Sequence, residues 1–236
     1  FRKNDLKNNG QGAPLTPIFH KILVKQNNID LPVCILNLGG IANITLIKDD
    51  DYKNLISYDI GPGNCLIDSW IRKNSENEYD LDGLIAKSGK INKKVLEDAI
   101  QNFNKEKKLS FDTNDFNLSF VANLSLEDGA ATLTEYTGRV LGEAILSLAK
   151  LENKKLFKVL ICGGGRKNKI LFKSIENGTS KKVTFQPIDI YGINGDFVES
   201  QAFAYLAIRS YLKKPITFPS TTGCSKPTLG GDIIEN

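Results

Sequence analysis

The chain has 236 residues, of which 41% are hydrophobic and 25% charged, and its net charge is +4. These values are typical of one large or two small globular domains and exclude a disordered chain. The positive charge comes from scattered lysines, so it does not indicate a nucleic-acid-binding surface. A single histidine, His20, excludes a histidine-based metal site or a Ser/His/Asp triad built from this chain alone.

The cysteines, apolar stretches and first residue indicate where the protein works. The four cysteines lie far apart and form no Cys-x-x-Cys pair, which predicts reduced thiols in a cytoplasmic protein. No segment has the length and apolarity of a membrane span, and no signal-peptide pattern opens the sequence. We therefore expect neither a membrane nor a nucleic acid as partner. The chain begins at Phe1 and contains no methionine, so we also expect sequence upstream.

Three short segments near the start predict an antiparallel meander. Residues 31–38 and 41–48 are apolar or β-branched and are separated by the turn Gly39-Gly40. Residues 54–60 make a third predicted strand after a polar turn at 49–51. Strands joined by such short turns can only pair antiparallel.

Helices are predicted next. Asn64 is placed to cap a helix that carries Trp70 on its apolar face, and Trp70 is interpreted as a core residue. Further helices are predicted near 92–103 and over 126–150, the second opening with the capping-box pattern Ser125-x-x-Asp128.

The second half alternates strands and helices. Residues 158–162 and 182–186 are predicted strands, with a helix from about 167 between them. The pattern Asp196-x-x-Glu199 predicts the cap of a long helix to about 213, and residues 214–236 are predicted to be mostly loop. This order predicts an α/β layered domain. A meander before the βα units distinguishes it from a Rossmann domain and indicates one half of an actin/hexokinase/heat-shock-protein ATPase, a ribonuclease H-like fold.

Three glycine-bearing loops follow predicted strands and could carry chemistry. The turn at Gly39-Gly40 exposes main-chain N–H groups that suit phosphate oxygens, although a plain hairpin turn is the better interpretation of that loop alone. Cys162-Gly163-Gly164-Gly165 ends a strand and precedes a helix, where nucleotides commonly bind, but close packing explains such a run equally simply.

The third loop contains Asp59, followed by Ile60-Gly61-Pro62-Gly63-Asn64. A carboxylate at a strand end, beside a helix N-terminus, is placed to take a proton from a nucleophile. An aspartate that only hydrogen-bonds the turn is an equally good interpretation from the residues alone. Three such loops together favour a nucleotide bound at one end of a sheet.

The motifs, taken in order, resemble those of the anhydro-N-acetylmuramic acid kinase family along essentially the whole chain. They are Gly10-Gln11-Gly12-Ala13-Pro14-Leu15, Asn37-Leu38-Gly39-Gly40-Ile41-Ala42-Asn43, Asp59-x-Gly61-Pro62-Gly63-Asn64-x-x-x-Asp68-x-Trp70, Tyr79-Asp80-x-Asp82-Gly83, Ala131-Thr132-Leu133-Thr134, Cys162-Gly163-Gly164-Gly165-x-x-Asn168 and Leu229-Gly230.

The resemblance implies a reaction and a set of site residues. The family phosphorylates O6 of 1,6-anhydro-N-acetylmuramic acid with ATP and Mg²⁺ while water opens the anhydro ring, in bacterial cell-wall recycling. Asp59 is then implied as the catalytic base. Arg2, Gln11, Gly12 and Pro14 are implied for substrate binding, and no residue is assigned to the metal. The ATP and phosphate residues implied are Asn37, Gly39, Gly40, Asn43, Gly61, Gly63, Asn64, Gly163, Gly164, Gly165 and Asn168.

The chain also departs from the family pattern. It lacks the opening Gly-Thr-Ser-x-Asp-Gly loop, and residues 105–115 keep only a trace of the family's Pro-Lys-Ser-x-x-Arg stretch. We therefore expect residues 1–30 to be the remnant of an inter-lobe junction and residues 31–236 to form the C-terminal lobe with a helical insertion. Two alternatives stay open: a non-catalytic member of the superfamily, and a fragment that only binds ligand. A homodimer is also left open.

Overall fold

The structure is a computed structural model that describes residues 1–103, 110–152 and 156–232. Its strands form one mixed sheet in the order β3-β2-β1-β4-β5. The strand bounds are β1 Val33–Leu38, β2 Ile41–Ile47, β3 Ile56–Pro62, β4 Phe157–Cys162 and β5 Val183–Pro187. The β2 strand pairs antiparallel with both β1 and β3, whereas β4 pairs in parallel with β1 and β5. The predicted meander followed by βα units is therefore confirmed, and the order is ribonuclease H-like.

Helices cover both faces of this sheet. Their bounds are α1 Arg2–Lys7, α2 Pro17–Gln26, α3 Cys65–Asn74, α4 Leu84–Ser88, α5 Lys93–Asn102, α6 Leu126–Leu151, α7 Lys169–Asn177, α8 Val198–Tyr211 and α9 Pro219–Thr222. The α1, α2, α4 and α9 helices are not among the sequence predictions. The β-strand alternation decides which helix each side chain meets.

On one face, the even-numbered residues of β1 and β2 pack under α3 and α6 in the larger core. Trp70 is 2% exposed and donates its indole N–H to the Leu126 carbonyl at 2.9 Å, so its predicted core position is confirmed. Gly129 lets α6 approach that ring, because a Cβ there would stand 2.4 Å from it.

On the other face, Val33, Ile35 and Leu160 pack against residues of α2 and α8 in a second core. Residues of the first thirty positions thus share a core with the sheet. The sequence alternation that buries Val33 and Ile35 on this face also places Asn37 on it, at the carboxyl end of β1.

The predicted helix caps are partly wrong. Ser125 accepts from the Asp128 N–H at 3.1 Å, but the Asp128 carboxylate accepts from the Lys90 N–H, so no reciprocal box forms. Asn64 is the N-cap residue of α3 without a side-chain cap. The predicted Asp196–Glu199 cap of α8 is wrong, since Phe197 precedes that helix and Asp196 pairs with Arg166 instead.

Two other predictions are confirmed, with local differences. The helix predicted from about 167 begins at Lys169, because a short 3-10 turn over Gly164–Lys167 comes first. The segment predicted as loop contains α9 and an antiparallel bridge between Thr217 and Thr228. The described residues contain no helix with the length and apolarity to cross a membrane.

The junction between the β1–β2 turn and α3 depends on a glycine. The N–H groups of Gly63 and Asn64 donate to the Gly40 and Gly39 carbonyls at 2.9 and 2.8 Å. A Cβ on Gly63 would lie 2.1 Å from the Gly39 carbonyl oxygen, whereas one on Gly40 would meet nothing within 4 Å.

We predict that Gly63→Ala lowers the free energy of unfolding by roughly 2–4 kcal/mol, because the turn and α3 must separate. Gly40→Ala, its neighbour across the junction, should change it by no more than about 0.5 kcal/mol. Urea denaturation followed by circular dichroism measures both. Equal effects of the two substitutions would contradict the packing described.

Candidate functional site

Three polar side chains form a row across the meander. In the strand register Asn37 on β1 faces Asn43 on β2, and Asn43 in turn faces Asp59 on β3. Residues directly opposite each other in antiparallel strands point to the same face of a sheet, with their Cβ atoms about 4.5–5.5 Å apart. The row, here called the Asn37–Asn43–Asp59 row, lies at the end of the sheet where all three glycine loops begin.

A β-bulge sets the direction of Asp59. Ala42 pairs with Gly61 and Asn43 with Asp59, so Ile60 is an extra residue on β3. Gly61 has a φ of +151°, which favours glycine, and a Cβ there would lie 2.7 Å from the Val140 side chain. Bulges of this kind re-aim side chains beside functional sites.

Asp59 is a buried carboxyl group held from outside the sheet. Its side chain is 7% exposed, and its Oδ2 accepts from the Phe111 main-chain N–H at 2.7 Å. Burial raises the pKa of Asp59 to about 6, while hydrogen bonds from the Phe111 N–H and the Ser110 hydroxyl act in the opposite direction. The group is therefore mostly ionised at neutral pH, with a pKa close to the range in which a general base is effective.

Asn43 brings an oxygen without a partner to the same row. Its Oδ1 is buried and has no hydrogen-bond partner in the part of the chain that the structure describes. A buried carbonyl oxygen left unpaired costs free energy unless a bound molecule donates to it. By contrast, Asn37 Oδ1 accepts from the Cys162 thiol at 3.8 Å and so ties the row to β4.

Next to the row, the single histidine of the chain is hydrogen-bonded to a pair of buried hydroxyl groups. His20 Nδ1 lies 2.8 Å from Thr45 Oγ1, which lies 3.2 Å from Ser57 Oγ. Burial lowers the pKa of His20 to about 3, so the imidazole is neutral at physiological pH. His20 is therefore a core residue, and Asp59 is the titratable group that the row itself presents.

The glycine loops divide into packed and open positions. Gly61 and Gly63 are buried, and the N–H groups of Gly63 and Asn64 are already bonded to the Gly39–Gly40 turn. Gly40 and Gly164 are exposed, and a Cβ added to either would meet nothing within 4 Å. Open main chain for an approaching anion is therefore present at one residue of each outer loop.

Arg166 fixes the loop after β4. Its guanidinium binds Asp189 through two hydrogen bonds of 3.0 Å each, contacts Asp196, and donates to the Gly163 carbonyl at 3.0 Å. Because of this pairing the pKa of Asp189 is lowered. Gly163 also donates its N–H to the Gly195 carbonyl at 3.0 Å. The 163–165 loop is therefore held rigidly from one side.

Asn168 follows this loop and caps the helix after it. Its Oδ1 accepts from the N–H groups of Ile170 and Leu171 at 3.2 and 3.0 Å and so caps α7. Its predicted place in the ATP site is not tested by this contact. The cap shows only that one side-chain oxygen is already engaged.

The residues predicted for substrate binding lie together near β3. Arg2 donates to the Gln11 carbonyl at 3.4 Å, and Gln11 donates its N–H to the Thr222 carbonyl at 2.9 Å. Pro14 is buried in the same loop, and α9, which ends at Thr222, packs against β3. The 10–14 loop thus reaches the strand of Asp59 through α9.

Asp5 anchors this loop and was missed by the sequence analysis. It is 1% exposed, and it accepts from the Gly12 N–H and from the Thr222 hydroxyl at 2.7 Å each. The roles of Ser110 and Phe111 were also missed, because they join Asp59 across about fifty residues. The spacing Arg2-x-x-Asp5 before the 10–14 loop is the one local signal for the anchor.

Part of the predicted divergent segment cannot be placed. Residues 105–109 lie outside the described residues, whereas 110–115 are described. Within the described ranges, no group of three or more His, Cys, Asp or Glu side chains is arranged to hold a metal ion.

Comparison with known proteins gives one consistent family. The family model described as anhydro-N-acetylmuramic acid kinase matches residues 1–236. The protein of that name from Pelagibacter ubique (strain HTCC1062) is 51% identical over 240 residues, which cover 100% of this chain and 64% of the relative. The one from Zymomonas mobilis is 40% identical over 235 residues, which cover 99% and 62%.

A solved structure shows a more distant likeness. Component A of the Acidaminococcus fermentans (R)-2-hydroxyglutaryl-CoA dehydratase is 16% identical, with a TM-score of 0.44 over 80% of this chain and 68% of that one. The family assignment rests on the sequence matches. The chain spans 60–64% of the length of the curated relatives it matches.

We predict that Asp59→Asn stabilises the fold at high pH. The folded pKa of about 6 is above the ordinary value of 3.8, so the wild type loses stability as the pH rises through that interval. The amide of the variant carries no charge, so the variant loses no stability over this interval. At pH 8 the variant should unfold with a free energy higher by about 1–3 kcal/mol, and the difference should vanish near pH 4. Urea denaturation at both pH values measures it, and a variant that is less stable at pH 8 would contradict the assignment.

Proposed function

The chain belongs to the anhydro-N-acetylmuramic acid kinase family, and on this premise we propose that it carries the catalytic base of an ATP-dependent sugar kinase. The proposed reaction phosphorylates 1,6-anhydro-N-acetylmuramic acid and opens its anhydro ring with water, giving N-acetylmuramic acid 6-phosphate. The observation that carries the proposal is Asp59, a buried carboxyl group whose pKa of about 6 suits proton abstraction at neutral pH.

Asp59 takes the proton of the attacking water in this proposal. The water oxygen bonds to C1 as the C1–O6 bond breaks, and the freed O6 bonds to the γ-phosphorus as the bond to ADP breaks. One deprotonation therefore supports both bond changes. Asn43 faces Asp59 in the register, and its unpartnered Oδ1 would accept the second proton of the same water as a hydrogen bond. The two side chains would orient the nucleophile between them.

The phosphate groups of ATP would bind at the exposed glycines Gly40 and Gly164. Gly40 and Gly164 leave room for an anion to approach their main chain, and Arg166 holds the second loop rigid. Main-chain N–H groups in such loops bind phosphate oxygens. Mg²⁺, when bound, would neutralise charge on the phosphates, and a metal carried by phosphates and water needs no protein cage.

The sugar would bind on the side of Asp59 where the 10–14 loop lies. Arg2 is exposed beside Gln11 and Gly12, and a guanidinium can bind the lactyl carboxylate through two hydrogen bonds. The buried Asp5 would keep the loop in place for this contact. A cytoplasmic location and the absence of nucleic-acid or membrane partners remain parts of the proposal, and a homodimer stays an open alternative.

We predict that Asp59→Asn lowers kcat for the anhydro-sugar by about 10²–10⁴-fold, the usual value of a general base, while nucleotide affinity is kept. The comparison is Asp68→Asn on α3, since burial also raises the pKa of Asp68 to about 6. That variant should retain turnover. Steady-state kinetics and calorimetric titration with nucleotide on the intact protein measure both, and near-normal turnover in Asp59→Asn would remove Asp59 from the role of base.

We also predict that N-acetylmuramic acid, which has no anhydro bond, is a poor substrate. Its O6 is already a free hydroxyl group. Deprotonation of water at C1 therefore releases no oxygen for attack on the γ-phosphorus and cannot drive phosphoryl transfer. Initial rates with equal concentrations of the two sugars measure the preference. Efficient phosphorylation of the open sugar would indicate an ordinary hexose kinase.

A further inference from the structure

The segment that follows the undescribed residues 104–109 is closely attached to Asp59. The Phe111 N–H donates to Asp59 Oδ2 at 2.7 Å, and the Ser110 side chain lies close enough to this carboxyl group to lower its pKa. Neither residue belongs to the sheet that carries Asp59. Both come from the insertion between α5 and α6, and thus reach the site from a different part of the chain.

Phe111 is itself fixed by packing. Its ring centroid lies 5.4 Å from that of Phe116, and Phe116 packs against the larger core. The residues between them close a turn in which Asp112 accepts from the Asn114 N–H at 3.0 Å and Asp115 accepts from the Asp112 N–H at 2.8 Å. The donors at 110 and 111 therefore lie beside a short, exposed turn that the Phe111–Phe116 contact joins to the larger core.

From this geometry we infer that Ser110 and Phe111 form a carboxylate clamp, which orients Asp59 and keeps it ionised for its role as base. Two donors facing a carboxylate stabilise the charged form and restrict the rotation of the group. This inference rests on the proposed function for its catalytic consequence, but the clamp itself is a contact that can be measured without turnover. Both are positioning residues, since they act through Asp59.

Among the described residues around Asp59, the clamp is the main polar influence. Asn43 on β2 is uncharged, and Ser57 leads through Thr45 to His20, which burial keeps neutral. On α9, Thr222 is bonded to Asp5. Asp112 and Asp115 on the clamp's own segment are engaged in its turn, and among the residues that the structure describes no charged side chain contributes to the shifted pKa of Asp59.

The test uses Ser110→Ala, with Ser110→Thr as the conservative rescue. Ser119→Ala is the matched control, because the Ser119 N–H and hydroxyl bond the Asn117 side chain on the same segment and not Asp59. A fourth variant, Phe111→Ala, removes the ring that holds the main-chain donor while leaving that donor in place. The first measurement is the pH titration of the Asp59 carboxyl carbon by ¹³C NMR.

We expect Ser110→Ala and Phe111→Ala to raise the pKa of Asp59 by about 0.5–1 unit, because each weakens a hydrogen bond to the ionised form. Ser110→Thr and Ser119→Ala should leave that pKa unchanged. In the intact protein, the acid limb of the kcat/KM profile should move with the pKa, so that Ser110→Ala is about 3–10-fold slower at pH 5 and nearly normal at pH 8.

The outcomes separate the clamp from the proposed function. A titration that is unchanged in Ser110→Ala and in Phe111→Ala overturns the clamp, whatever the activity. A shifted titration with unshifted kinetics supports the contact but overturns its part in catalysis. If the pKa shifts and no variant, including the wild type, phosphorylates the anhydro-sugar, then the clamp stands and the proposed reaction falls.

Discussion

The strand register of the meander is the constraint on which the rest of the site depends. It sets Asn37, Asn43 and Asp59 side by side, and a slip of one strand by one residue would turn that strand's member of the row to the opposite face. The bulge at Ile60 and the junction of Gly63 with the β1–β2 turn hold that register at its open end. The same alternation puts apolar residues of these strands into the core, so core packing and site geometry are specified together.

The site combines a buried carboxyl group, whose ionisation costs free energy, with hydrogen bonds that reduce this cost. A carboxylate that is 7% exposed is unfavourable when ionised, and burial raises its pKa accordingly. The donors at Ser110 and Phe111 reduce this penalty without abolishing it. A carboxyl group of this kind is poised to exchange a proton, which is a use that a purely structural aspartate does not need. Asn43 adds a second unfavourable group, because its buried Oδ1 has no hydrogen-bond partner among the described residues. A bound molecule that donates a hydrogen bond to this oxygen would remove that free-energy penalty.

The sequence predicted more of the fold than of the contacts within the site. The five strands and the longer helices follow from hydrophobic periodicity and glycine turns, so their existence was accessible from local pattern. The contacts of Asp128 and Asp196 could not be predicted from local pattern, because their partners are far away in sequence. Asp128 pairs with the Lys90 N–H, and Asp196 pairs with Arg166. For the same reason the pattern around Asp59 indicated a site but could not distinguish a base from a turn residue. The contact that Asp59 makes with the Phe111 N–H spans fifty-two positions, so local pattern could not indicate it.

We propose that the buried carboxyl group of Asp59 is the base of the reaction. The most direct test compares two curves of the intact wild-type protein: the ¹³C titration of the Asp59 carboxyl group and the pH dependence of kcat/KM for the anhydro-sugar. If Asp59 is the base, both curves should have a midpoint near pH 6, with activity present above it and lost below it. A rate profile that stays flat down to pH 4.5 while Asp59 titrates near 6 would contradict it.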